Sequence, residues 1–170
     1  MGHARHSIVR SIRGSPQVVP DETGWQVGGK SAWMHVFVGT QATCYVIDSR
    51  RDDGPGKQIL GENYSGILVH DGWSVYDKFS SCGHQTCLAH LIRRCREMIE
   101  SMAPTASRAS LVLPRGVLKL LTDALALRDR KAELTRVGYL RKFDQLLVRL
   151  MILVRRRYRH AASERLAKHL

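Results

Sequence analysis

The 170-residue sequence predicts an α/β fold in two parts: a mixed sheet of three antiparallel strands, a crossover helix and a fourth strand, followed by an all-helical C-terminal half. Three observations carry that expectation. Residues 17–47 are rich in Val, Ile, Tyr, Phe and Trp and are broken by short Gly-containing turns, as a β-meander requires. From residue 85 onward the apolar positions recur at helical steps of three and four. The charge divides in the same way: residues 1–90 carry 8 Lys+Arg against 8 Asp+Glu and residues 91–170 carry 19 against 7, so the second half holds the whole net charge of +12.

Taken in order, residues 1–15 are polar, basic and weakly patterned, and read as a linker-like segment at a truncated N-terminus. Gln17–Asp21 is the first strand. Trp25–Ser31 supplies a Gly-rich turn, Ala32–Val38 the second strand, and Ala42–Ile47 the third after the tight Gly39-Thr40-Gln41 turn. Asp52–Gly56 is a loop, Lys57–Leu60 a short helix, and Ser65–Val69 a fourth strand that the crossover lays beside the first. Cys87–Met102 forms a helix ended by Ala103-Pro104. Pro114 opens a second, with Val117, Leu120, Leu121, Ala124 and Leu125 at helical spacing, and Leu140, Phe143, Leu147, Leu150 and Val154 mark a third. The last two form a hairpin around residues 130–138. The implied domains are 1–15, a core over 16–102 and a basic helical region over 103–170.

A hydrophobic content of 44% suffices to build a buried core. No segment has the apolar run of a signal peptide or the length of a membrane span, so a cytoplasmic location is expected. The four cysteines are then reduced thiols rather than a disulfide framework. The basic second half attracts polyanions, nucleic acid foremost, with an anionic membrane surface as the competing partner.

The candidate chemistry lies with Asp21 and Asp71, each an acid at the end of a short β-prone run, where neighbouring strands can present two carboxylates at one sheet edge. Carboxylate oxygens match Mg²⁺, and such a site suits displacement at phosphorus. The plainer alternative is that Asp21 caps a turn through Thr23 and Asp71 caps the helix beginning near Trp73. Glu22 faces the other side of the sheet from Asp21 and shares no metal with it. Cys82, His84, Cys87 and His90 form a C-x-H-x-x-C-x-x-H cluster of zinc-ligand types, although its compressed spacing favours packing and a His hydrogen bond over a closed site. Arg93, Arg94 and Arg96, with Arg155, Arg156, Arg157 and Arg159, offer contacts to a DNA backbone, and Tyr158 could stack on a base. For any single arginine, a solvated helix face explains the charge equally well. Trp25, Trp33, Trp73 and Tyr76 read as core aromatics.

Three ordered blocks add a resemblance. Asp21-Glu22-Thr23-Gly24-Trp25-Gln26-Val27-Gly28-Gly29, Val69-His70-Asp71-Gly72-Trp73-Ser74-Val75-Tyr76-Asp77 and His84-Gln85-Thr86-Cys87-Leu88-Ala89-His90-Leu91 closely resemble the DDE transposases of bacterial insertion-sequence family sixty-six over about residues 16–170. The resemblance implies a ribonuclease H-like fold whose first two catalytic aspartates are Asp21 and Asp71, with Mg²⁺ or Mn²⁺ as cofactor. It also implies insertion-sequence DNA ends as partner, a homo-oligomeric intact enzyme and a nucleoid-associated location. Cys87 and His90 match a C-x-x-H signature of several such groups, structural or associated with the active site. The third ligand of the family is a glutamate in Asn-Asn-x-Ala-Glu-Arg, a motif this sequence lacks. Glu164, in Ala162-Ser163-Glu164-Arg165, mimics it, but Arg165-Leu166-Ala167-Lys168-His169-Leu170 fits the stretch upstream of that motif better. The expected protein is therefore a middle fragment of a transposase catalytic core, crippled in catalysis. The alternatives are a DNA-binding or interaction module without chemistry, or a decayed insertion-sequence remnant.

Overall fold

The computed structural model describes residues 2–102, 107–168 and 170, with side chains from residue 4 onward. The chain divides into two compact units, one ending at Cys87 and the other beginning at Leu88.

The first unit is a five-stranded sheet in the order β3-β2-β1-β4-β5, with β1 at Gln17–Val27, β2 at Lys30–Val38, β3 at Thr43–Asp48, β4 at Ile67–His70 and β5 at Gly83–Thr86. Antiparallel β1, β2 and β3 with parallel β4 and β5 make the mixed sheet expected, extended by a fifth strand. β1 runs six residues past the expected end at Asp21, because the hairpin to β2 needs only Gly28 and Gly29 (φ 56° and 76°). Two consecutive residues at positive φ match the twist of the flanking strands, which glycine adopts without steric cost.

Side-chain alternation gives the sheet two different faces. Val18, Phe37, Cys44 and Leu68 point to one side and are buried against Ile12 of helix α1 (Gly2–Arg13), Ile59 and Leu60 of helix α2 (Gly54–Leu60), and Tyr76 and Phe79. On the other side Val38, Tyr45, Ile47 and Ile67 stay exposed. Residues 1–15, expected as a linker, thus contain a helix whose Ile12 is fully buried. Arg13 fixes that helix to α2 by donating from Nε to the Ile59 carbonyl at 2.8 Å and from Nη2 to that of Gln58 at 3.0 Å, satisfying carbonyls at the α2 C-terminus.

The all-helical reading from residue 85 also needs correction, since Gly83–Thr86 pairs with β4 as a fifth strand. On the core side of that pair, Gly72 N–H donates to His70 Nδ1 at 3.2 Å, which leaves Nε2 to donate to His84 Nδ1 at 3.1 Å. His84 Nε2 in turn donates to the Phe79 carbonyl at 3.1 Å, a chain consistent only with neutral imidazoles.

The second unit holds helices α3 (Leu88–Met102), α4 (Val112–Asp129), α5 (Arg136–Arg155) and α6 (Ala161–Ala167). The expected stop at Ala103-Pro104 lies outside the described residues. Its core joins Leu91 and Cys95 of α3, Leu113 and Val117 of α4, and Leu166 of α6. Gly116 lets Leu153 of α5 approach α4, since a Cβ there would lie 2.7 Å from Leu153 Cδ2. Arg149 of α5 meets Asp123 of α4 at 2.7 Å and, with Lys119, holds that carboxyl below its ordinary pKa. No residue of α5 is buried. Leu146, Arg149, Leu150 and Leu153 are only half-buried, whereas Leu140, Phe143, Leu147 and Val154 of the expected stripe are exposed. Among the described residues no helix is long and apolar enough to cross a membrane.

Two outcomes follow from this packing. Ile59→Ala, which empties a fully buried position between α2 and the sheet, is expected to cost about 2–5 kcal/mol in urea unfolding, whereas Ile47→Ala on the exposed face costs less than about 1 kcal/mol. The second concerns pH. Burial, then the neighbouring His84, hold the His70 pKa below its ordinary 6.5, against the weaker pull of Asp71 and Asp77. A depressed histidine pKa means that the unfolded chain takes up the proton first, so this stabilisation is intact above pH 6.5 and is lost as pH falls below it. The urea midpoint of the wild type should fall between pH 7.5 and pH 5.5, and His70→Gln should flatten that fall.

Candidate active site

β1 lies between β2 and β4, which brings two acidic segments of distant sequence together. Gln17 pairs with Ile67 and Val18 with Leu68, an offset of 50 (67 − 17). The same offset carried three residues further sets Asp21 level with Asp71 (71 − 21 = 50). The ladder itself stops at Val18, short of Pro20, which has no N–H to contribute. By strand alternation Asp21 belongs to the open face, and its cross-strand partner is Val36. Asp71 follows the last residue of β4, where Gly72 turns the chain at φ 91°.

One oxygen of each carboxylate is oriented locally. Glu22 N–H donates to Asp21 Oδ1 at 3.0 Å, and Trp73 N–H donates to Asp71 Oδ1 at 2.9 Å. Asp71 thus closes a two-residue turn onto Trp73, whereas the short helix Ser74–Lys78 has Trp73 as its N-cap and no side-chain cap. Aspartate carboxylates are hard oxygen donors, and Mg²⁺ is commonly held by one or two of them with water and substrate phosphate filling the other positions. The residues present fit such an ion. Among the described residues no three His, Cys, Asp or Glu side chains group to hold a metal.

Glu22 occupies the opposite side. Its side chain is only 4% exposed and receives Arg51 Nη2 at 2.7 Å and Tyr76 OH at 3.1 Å. Arg51 in turn lies over the rings of Trp33 and Trp73, at 4.8 and 4.6 Å from their centroids. Burial and the Glu22 carboxylate raise the Tyr76 pKa far above the phenol range, so the hydroxyl remains a donor. Sequence reasoning missed Arg51, which reads as one of several charges in a loop. Trp73 and Tyr76 pack as expected, but Trp25 is 46% exposed near the hairpin end, on the uncovered face.

The Cys/His cluster is engaged otherwise. Cys82 Sγ and His84 Nε2 both donate to the Phe79 carbonyl, and Cys87 contributes its backbone N–H to the His70 carbonyl at 2.7 Å. His90 lies in the first turn of α3.

In the second unit Arg93, Arg94, Arg155, Arg156, Arg157 and Arg159 are all exposed. Arg93 pairs loosely with Glu97 at 3.8 Å. Arg156, Arg157 and Arg159 line a groove of about 340 Å³ with Ser107 and His160. Tyr158 is not presented to a base as expected: its hydroxyl donates to the Leu153 carbonyl at 2.7 Å and its ring packs on the helical core. Glu164 sits on α6, 3.8 Å from Lys168.

No curated protein matches this chain. Among solved structures, the HTLV-2 integrase catalytic core domain, in complex with magnesium and in dimeric form, is similar with a TM-score of 0.35 and 11% identity, over 63% of this chain and 85% of that one. A model of the transposase IS66 family matches residues 2–169. Residues 2–169 include both aspartate blocks and the basic helices, and the chain belongs to the IS66 transposase family.

Proposed function

We propose that this chain carries the two-aspartate part of a transposase active site, in which Asp21 and Asp71 together hold a divalent metal ion for cleavage and strand transfer at DNA phosphodiesters. The observation that carries the reading is the β1–β4 register, whose offset of 50, extended beyond the ladder, matches Asp21 of β1 with Asp71 just past the end of β4; each has one carboxylate oxygen oriented by a backbone N–H. A bound Mg²⁺ or Mn²⁺ would supply Lewis-acid stabilisation of charge developing on phosphoryl oxygens. The protein's part is to hold the two carboxylates at a fixed separation and to bind the DNA backbone. Arg93, Arg94, Arg155, Arg156, Arg157 and Arg159 serve that second role, and the groove beside Arg156, Arg157 and Arg159 admits a phosphate. DNA ends as partner, assembly of several copies on them and a cytoplasmic, nucleoid-associated location belong to the same proposal.

A third carboxylate would complete the clamp on attacking and leaving oxygens. The 170 residues contain no Asn-Asn-x-Ala-Glu-Arg motif, and Glu164 stands on α6 of the second unit in only a loose, exposed pair with Lys168. A metal displaced by about 1 Å loses on the order of a hundredfold in rate. A pure DNA-binding module is the second reading, favoured by the concentration of the entire net charge in residues 91–170.

In a plasmid-nicking assay with Mg²⁺ or Mn²⁺ the 170-residue chain is expected to be inactive or nearly so. Robust nicking abolished by both Asp71→Ala and Glu164→Ala would instead make Glu164 the third ligand. Duplex DNA binding should weaken by about a hundredfold between 50 and 200 mM salt if about four phosphates are contacted. Replacing Arg156, Arg157 and Arg159 together by Ala should lower the slope of log affinity against log salt by about 3. Flat salt dependence would remove the DNA-backbone role.

A further inference from the structure

We infer that Arg51, together with Glu22 and Tyr76, sets the separation of Asp21 and Asp71, acting as a positioning group on the face of the sheet opposite the carboxylates. The inference rests on the two-aspartate metal site proposed above and names the device that holds it.

The connections form a closed circuit. Asp21 Oδ1 is held by the N–H of Glu22 at 3.0 Å. The Glu22 side chain projects from β1 to the core side, where its Oε1 takes both Nε and Nη2 of Arg51, at 3.3 and 2.7 Å. The Arg51 guanidinium lies over the rings of both Trp33, from β2, and Trp73, from the turn after β4, at 4.8 and 4.6 Å from their centroids. The N–H of Trp73 then holds Asp71 Oδ1 at 2.9 Å. Tyr76 closes a second link by donating to the other Glu22 oxygen, while its ring stands 5.6 Å from that of Trp73. Every step from one aspartate to the other is a hydrogen bond, an ion pair, a ring contact or one residue of backbone.

Such a circuit is needed here for a physical reason. The β1–β4 ladder ends at Val18 and Leu68, so no backbone bond of that ladder ties the strands at the level of the aspartates. Two carboxylates brought together to hold a cation repel each other while it is absent. The circuit spans that gap from behind. A carboxylate only 4% exposed is also costly unless fully bonded, so Glu22 confines both partners to one geometry. Arginine suits this position and lysine does not, because only a planar guanidinium can lie against two rings while presenting two N–H groups in a fixed fork to one carboxylate.

The test is Mn²⁺ binding to the 170-residue chain by isothermal titration, with folding followed by circular dichroism. Wild type is expected to bind Mn²⁺, and Asp21→Asn and Asp71→Asn to abolish it. Arg51→Lys and Tyr76→Phe should each weaken binding by about 10–100-fold, as groups that orient metal ligands do. Tyr76→Phe keeps the ring and removes one hydroxyl, so it remains informative if Arg51→Lys does not fold. Ile59→Val, in the same core but outside the circuit, should lower the melting midpoint and leave Mn²⁺ affinity unchanged. If wild type fails to bind Mn²⁺, or binds it after both aspartate substitutions, the two-aspartate site is wrong and the inference falls with it. If the aspartates are required but Tyr76→Phe binds as wild type does, or loses no more than Ile59→Val, the positioning role alone is overturned.

Discussion

β1 pairs with β2 over nine positions and meets β4 near its start, so its side-chain alternation is fixed along its whole length. A slip of one residue would exchange every side chain between a buried and an open face. It would expose Val18 and bury Asp21, which the core of Ile12, Ile59, Phe37 and Leu68 does not permit. The same alternation separates the consecutive acids Asp21 and Glu22. One is delivered to the open face as a candidate ligand, and the other is delivered to the core as the partner of an arginine. The chemistry available at the site is thus a consequence of strand register, and the hydrophobic core enforces that register.

The second unit follows a different logic. Its core is small, built from Leu91, Cys95, Leu113, Val117 and Leu166, and burial pushes the Cys95 thiol up to about 11, which makes it a packing residue rather than a nucleophile. Ion pairs along it are surface pairs such as Arg93–Glu97 and Lys119–Asp123, each worth little to stability. Most of its arginines are therefore not accounted for by folding, and polyanion binding explains the surplus better than structure does.

The elements that announced themselves in the sequence are those with a strong local pattern. β2 and β3 alternate apolar side chains between short turns, and α4 repeats Val117, Leu120 and Leu121 on one side. α1 carries only Ile8, Val9 and Ile12 among polar and basic residues, too sparse a stripe to separate from a linker. β5 reads Gly-His-Gln-Thr, has no apolar residue, and exists because β4 offers it an edge and His70 offers His84 a hydrogen bond. The candidate site divides similarly. The aspartates sit at the ends of recognisable strands, and the family blocks mark them. Arg51 has no such mark, because its meaning comes from Glu22 and Tyr76, residues 29 and 25 positions away, and from two rings on separate segments.

The contact of the guanidinium with two indoles also has an optical consequence. The chain has three tryptophans, and two of them, Trp33 and Trp73, are the rings over which Arg51 lies. The third, Trp25, lies half in solvent near the end of the β1–β2 hairpin. Indole emission responds to nearby charge and to water, so Trp33 and Trp73 report on the carboxylate-bearing edge of the sheet while Trp25 contributes a solvent-exposed background. Without any attached label, the intrinsic fluorescence of this protein is a spectroscopic window on the neighbourhood of Asp21 and Asp71.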